Sequence, residues 1–343
     1  MKFLRKTAHK ANPPAEKTVD GLVCAYLLTG DGKAREAGWK EIRAWTPESG
    51  ILWVHLNRAE AAAQSWLRKQ AGLDPVMADA LIASETRPRS LITEQGMLVS
   101  LRGINFNPGA EPEDMIAMRM FVEPRRIITT RTRKLMAVDD LRTLFDAGAG
   151  PKTASDCFLA LAQSLIGRVS SVLDDLDDTA DDLEEQLLEP GGVDRALRDR
   201  LTILRRRAIA IRRYMAPQRE ALAKIADSTA RQNPMDGNDV AILRELADQN
   251  TRAVEDLDAI RERAAVIQDE LVNRLSDRLN RNSYILTVGA ALFLPLTVVT
   301  SLLGVNVGGM DTGNVGPGFW LLCTVLGGFI LVELILFKIL KWI

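Results

Sequence analysis

Seven positions near the C-terminal end of the chain carry side chains that could line a path for an ion: Asn280, Ser283, Thr287, Ala290, Leu294, Thr297 and Ser301. They recur in steps of three and four, the spacing of one helix face. Most are small or bear a hydroxyl, and none is charged. The intervening Ile285, Leu292, Phe293, Leu296, Val298 and Val299 are apolar. Hydroxyl, amide and main-chain oxygens suit a hydrated dication that passes without being trapped, whereas carboxylates bind a dehydrated one tightly. Leu294 interrupts the polar stripe, and an apolar ring at that level is a dewetting gate. Small and hydroxyl residues also serve tight helix packing, with hydroxyls bonding back to the helix, so the stripe alone leaves both readings open. Directly after it come Gly304, Val305 and Asn306. Gly304 lets a helix end sharply, and the Asn306 amide oxygen can turn toward an ion or its water shell, although many helix ends carry Gly-x-Asn.

The stripe lies within Asn282–Met310, twenty-nine residues without a charge. A bilayer core needs about 20 apolar residues per helix, and Tyr284 to Leu303 supplies them. A second apolar run, Phe319 to Phe337, is interrupted only by Glu333. The pattern predicts a C-terminal transmembrane hairpin: helix 1 over 284–303, an outer loop over 304–318 and helix 2 over 319–340. Arg274, Arg278 and Arg281 precede the first span, Lys338 and Lys341 end the second, and the loop has no Lys or Arg. The positive-inside rule then places both termini in the cytoplasm. The basic Met1–Lys10 segment has no apolar core after it, so no secretory signal is expected. Two spans cannot enclose a wet path, so a pore requires several copies around an axis in the lipid membrane.

The rest of the chain reads as a cytosolic body. Residues 1–18 are expected to be loosely ordered. Over 19–145, short aliphatic strands (Gly21–Leu28, Ile51–Leu56, Met97–Ile104, Met115–Val122, Arg126–Arg131) alternate with helical stretches at Ala59–Ala71 and Pro75–Ala83, the signature of an α/β domain. Residues 152–283 form a long-helix region. One helix is expected over Thr153–Glu189, and a second helical pattern runs from Asp194 up to Pro217 and continues to about Arg231. A stalk helix from Asn238 to Leu303 would be roughly 100 Å long.

Charge sets further bounds. With 44 basic and 45 acidic residues the net charge is −1, which gives no footprint for nucleic acid. Eight carboxylates crowd Asp174–Glu185, and eight arginines crowd Asp194–Arg213. A face-to-face helical hairpin laced by ion pairs explains both; a cation-attracting acidic surface near a pore mouth is the sharper reading, and an RNA-binding arginine face a third. Cys24, Cys157 and Cys323 are odd in number and far apart, against a disulfide framework or a cysteine knuckle. His55, beside Trp53, reads as a buried or edge histidine, and Cys323 as packing. Glu333 reads as an interfacial carboxylate, with proton coupling the alternative. Asp269 and Asp277 stand where an inner mouth would be, or on a solvated helix face. No catalytic triad, Walker loop or nucleotide fingerprint appears, so neither an enzyme nor a bound cofactor is expected.

The stretch Leu294-Pro-Leu-Thr-Val-Val-Thr-Ser-Leu-Leu-Gly-Val-Asn306 resembles the CorA family of divalent-cation transport proteins, whose signature here is Gly-Met-Asn. The variant Gly304-Val305-Asn306, followed by Val307-Gly-Gly-Met310, is similar to the ZntB branch, associated with zinc, as is Ile51–Leu56. The order of parts along the whole chain is similar too. The resemblance implies a funnel-shaped homopentamer with the first span lining the pore. It places Asn306 on the hydrated ion at the outer mouth, with Thr297, Leu294 and Asn280 below it. In place of the acidic loop of the magnesium branch stands Asp311 alone, which either concentrates cations or caps a turn. Val305 for Met does not by itself exclude magnesium. The expected function is divalent-cation transport across the bacterial inner membrane, zinc first. Magnesium, cobalt or nickel, the direction of transport and proton coupling stay open. The rival from another class is a membrane-anchored structural or signalling coiled-coil protein, for which the hairpin is only an anchor.

Overall fold

A computed structural model describes residues 18–84, 87–189, 195–232, 237–304 and 317–339. The chain divides into two units, Met1–Gln268 and Asp269–Ile343. The first begins with β1 (Leu22–Leu28), β2 (Ala34–Glu36), α1 (Trp39–Ala44), β3 (Ile51–Asn57), α2 (Ala61–Lys69) and α3 (Pro75–Ile82). Then come β4 (Arg89–Ile92), β5 (Met97–Gly103), β6 (Ile116–Val122), β7 (Arg126–Arg131) and α4 (Met136–Asp146). The described strands form one sheet in the order β2-β1-β3-β7-β6-β5-β4, with β3–β7 parallel and the other pairs antiparallel.

Helices cover both faces of the sheet, which is why its central strands are nearly continuous apolar runs rather than alternating ones. On one face Val99, Leu101, Met118, Met120 and Ile127 pack with Phe158, Leu161 and Leu165 of α5 (Ala154–Gly167). On the other, Val54, Leu98, Phe121 and Ile128 pack with Trp66, Leu67, Met77 and Leu81 of α2 and α3. Gly103 sets the approach of α5, since a Cβ there would stand 2.5 Å from Leu165 Cδ2. The five strands expected from the sequence are present; the short edge strands β2 and β4 are additions, too brief to carry a periodic signal.

Two places in the helical region need a physical account, and the first departs from the expected pattern. The single helix expected over 153–189 is two, α5 and α6 (Ser170–Leu188), divided at Arg168–Val169 directly after Gly167. Thr153 starts α5 with a capping box: its hydroxyl accepts from Asp156 N at 2.9 Å, and the Asp156 carboxylate accepts from Thr153 N at 3.0 Å. The second is α7 (Arg195–Gln232), one unbroken helix through Pro217, a residue that removes a helix hydrogen bond. Buried side chains bind the helix together at that point. Asn250 of α8 (Gly237–Gly304) donates to Met215 O at 2.7 Å, and Gln218 accepts from Arg102 N of β5 at 2.7 Å. These tertiary bonds offset the backbone bond that proline removes.

The acidic and arginine blocks do not simply face each other. Arg200 of α7 reaches Asp182 of α6 at 3.3 Å, but three α6 carboxylates converge instead on Arg263 of α8: Asp177 at 2.6 Å, Glu184 at 3.0 Å and Asp181. Hydrogen bonds from Arg263 to Glu184 and Asp181 raise its pKa. Part of the arginine block looks elsewhere, Arg207 to Glu113 at 3.2 Å and Arg212 to Asp258 at 2.6 Å. Glu113 is buried; the other pairs are half-exposed, worth about 0–1 kcal/mol each, and fix helix register more than they stabilise the fold.

His55 is fully buried in β3. Arg131 Nε donates to its Nε2 at 2.7 Å, so that nitrogen is an acceptor and the proton of the neutral ring sits on Nδ1, 2.7 Å from Thr129 Oγ1. Burial lowers its pKa from 6.5 to about 3. The sign of the pH effect follows. Between those values the unfolded chain binds a proton that the folded chain refuses, so stability rises with pH in that window and is complete above about 6.5. Within that window each unit of acidification is expected to cost about 1.4 kcal/mol. Denaturant unfolding followed by tryptophan fluorescence at pH 7, 6 and 5 should show this slope, and His55→Gln should flatten it; an unchanged slope in that variant rejects the assignment.

Candidate functional site

The second unit contains the outer part of α8 and α9 (Pro317–Ile339). Two segments are long and apolar enough to cross a membrane among the described residues. Gly237–Ser301 has such a window with 0 % of it buried, whereas Ala154–Leu188 has 56 % buried and is a core helix pair. The 23 residues of α9 carry charge only at Glu333 and Lys338 and match the length of a span.

All seven predicted stripe residues lie on α8, and all are exposed. Val288, Gly289, Ala291, Leu292, Pro295, Leu296 and Val299 are half-covered. At 3.6 residues per turn their mean direction lies roughly 150° round the helix from the stripe. α9 has a matching covered stripe at Leu326, Ile330, Glu333 and Phe337, again in steps of four and three. Within this unit, then, α8 turns an apolar side to cover and leaves open the side that carries the hydroxyls, together with the apolar Leu286, Phe293, Leu294 and Val298.

The hydroxyls have a defined polarity. Thr287 Oγ1 donates to Ser283 O at 2.8 Å and Thr297 Oγ1 to Phe293 O at 2.7 Å. The back-bonding considered as the alternative role is therefore present, and it is compatible with an ion path. A hydroxyl whose proton is spent on the helix presents acceptor lone pairs outward, which suits the outward-pointing protons of a hydrated cation.

Toward the N-terminal end the stripe is longer than the sequence reading made it. Asn273 and Ser276 are exposed and fall on the same face, and Asp269 stands about five turns before Thr287, in line with it. Asp277 lies roughly 80° round from Thr287. The missed pair obeys the same steps of three and four; it was overlooked because it precedes the uncharged run. Gly304 is the last residue of α8. Val305, Asn306 and Asp311 lie outside the described residues.

Glu333, read as an interfacial carboxylate, sits on the covered side of α9, and its Oε2 is buried without a hydrogen-bond partner among the described residues. Among those residues no three His, Cys, Asp or Glu side chains converge as metal ligands. Cys24 and Cys157 are buried free thiols, and burial raises the pKa of Cys24 to about 12; Cys323 is exposed.

The family model described as CorA-like Mg2+ transporter protein matches residues 48–338. A protein of Pseudomonas aeruginosa named divalent cation transporter CmaX is 41% identical over 328 residues, 94% of this chain and 97% of that one. The zinc transport protein ZntB of Pectobacterium atrosepticum is 34% identical over 306 residues, 89% and 91% of the two chains. The solved structure of full-length CmaX superimposes with a TM-score of 0.81 at 38% identity, covering 96% of this chain and all of that one.

Proposed function

The chain belongs to the CorA-like family, a family of transporters rather than enzymes, and from that premise we propose that it carries divalent cations across the bacterial inner membrane, zinc foremost. The observation that carries the reading is the acceptor-bearing face of α8, exposed from Asp269 to Ser301 and set opposite its covered apolar side. In the proposed assembly five copies turn this face to a common axis, with the first span over 284–303, the outer loop over 304–318 and the second span over 319–340. The ion keeps its water. Asn306 orders that water at the outer mouth beside Gly304 and Val305, with Asp311 adding charge. Thr297, Thr287 and Asn280 accept from the water along the path, Leu294 closes the path by dewetting, and Asp269 with Asp277 gathers cations at the inner mouth. Both termini face the cytoplasm. Zinc is placed first on the Gly-Val-Asn variant and the relatives named for zinc; the family model's own description keeps magnesium as the second reading. Glu333, half-covered with a buried carboxylate oxygen, is the group that would couple protons.

Metal-resolved flux into proteoliposomes, with and without an imposed pH gradient, tests this. Zinc flux above protein-free vesicles is expected. Flux of magnesium in preference to zinc moves the substrate assignment, and acceleration by the gradient establishes coupling. No flux of any divalent cation overturns the transport reading in favour of a membrane anchor.

A further inference from the structure

Arg119 on β6 is 1% exposed, and its Nε, Nη1 and Nη2 have no hydrogen-bond partner among the described residues. A guanidinium is a permanent cation with five N–H donors in a fixed plane. Burial and the like charges of Arg58, Arg102 and Arg89 pull its pKa down to about 10, which leaves it charged at neutral pH. A buried charge with neither a counter-charge nor hydrogen bonds is among the most costly groups a fold can hold.

The strand register explains why these cations meet. Arg119 stands opposite Thr130 of β7 and Ser100 of β5, and Ser100 stands opposite Arg89 of β4. Residues opposed in register share a face of the sheet. Thr130 in turn opposes Leu56 of β3, and Arg58 follows two residues on. Arg58 is held by the end of α3, donating to Ile82 O and Ser84 O at 3.0 Å each, while its Nε is buried without a partner among the described residues. Arg102 is held by Met115 O at 2.7 Å and by the Tyr214 ring, 4.0 Å from its guanidinium carbon. Exposure increases from Arg119 through half-buried Arg58 and Arg102 to exposed Arg89. The row thus runs from buried Arg119 to exposed Arg89, with Arg58 and Arg102 held between them by hydrogen bonds and a ring contact.

We propose that this row is an anion site on the α/β domain that takes a phosphate-type oxyanion, with Arg119 at its floor and Arg58, Arg102 and Arg89 around it. A tetrahedral oxyanion offers enough lone pairs to accept from several guanidinium forks at once and supplies the charge that neutral acceptors do not. Free orthophosphate and the phosphoryl end of a nucleotide share that chemistry.

The test uses the full-length protein in detergent, titrated with sodium orthophosphate, with ATP in EDTA, and with sodium chloride at matched ionic strength. Calorimetry and thermal unfolding are the readouts. Saturable phosphate binding is expected, with an unfolding midpoint that climbs with the logarithm of phosphate concentration. Arg119→Met keeps the apolar stem and should abolish the effect. Arg89→Gln, at the exposed rim, carries the test if the buried variant misfolds, and should weaken binding roughly tenfold. Tighter binding of ATP than of orthophosphate identifies a nucleotide, and the reverse identifies the free ion; both support the site. Shifts no larger than those of chloride overturn it, as do equal shifts in the variants. So does an Arg119→Met protein more stable than the parent in saturating phosphate, the result expected of an uncompensated buried charge.

Discussion

Replacing Asn306 by Ala is expected to abolish zinc flux into proteoliposomes while leaving the oligomer intact. α8 is described as far as Gly304, and Asn306 follows two positions later in the sequence, after a face whose polar atoms act as acceptors. A hydrated dication presents water protons outward, and an amide oxygen accepts them without the grip of a carboxylate. In a five-fold ring the substitution removes five such acceptors at once. Each hydrogen bond to a charged partner is worth about 1.5–3 kcal/mol, so even partial loss lowers flux well beyond tenfold. Size-exclusion chromatography of the variant separates loss of the mouth from loss of assembly. Undiminished flux with an intact oligomer removes Asn306 from the site and leaves the α8 stripe to account for selectivity.

What could be read from the amino-acid sequence depended on whether a feature has a period. The stripe on α8 repeats every three to four residues, and the central strands are aliphatic runs between breakers, so both were legible. β2 and β4 are three and four residues long and exist because a neighbour pairs with them. Pro217 reads as a stop in every local sense, yet Asn250 and Gln218, brought together from distant segments, hold α7 through it. Arg263 carries no mark as the partner of Asp177, Asp181 and Glu184, some eighty positions away. Arg119 is least legible of all, a charged residue in an apolar strand whose neighbours in space are set by strand register alone. Asp269 and Asp277 show the other limit. Both precede the span in sequence, but the helical repeat of 3.6 residues puts only the first of them in line with Thr287.

Thr129→Val is expected to destabilise the first unit by about 2–6 kcal/mol, although it changes neither shape nor strand preference. Thr129 Oγ1 accepts from Trp53 Nε1 at 2.9 Å and from His55 Nδ1 at 2.7 Å, and donates to Val54 O at 3.3 Å. Trp53, His55 and Thr129 are all fully buried. Valine fills the same volume, so no cavity term enters, and β7 keeps a β-branched residue in its register. What is lost is the only acceptor that serves both ring N–H groups. Neither ring can turn to water, and Arg131 already occupies Nε2 of His55. Two buried donors without acceptors cost about 1–3 kcal/mol each, against a typical total stability of about 5–15 kcal/mol. Thr129→Ser keeps the oxygen and loses one methyl group, about 1 kcal/mol. The comparison therefore isolates the acceptor: denaturant unfolding should rank the parent above the serine variant and the serine variant well above valine. A valine variant as stable as the serine one would mean that the His55–Thr129–Trp53 bonds contribute nothing net.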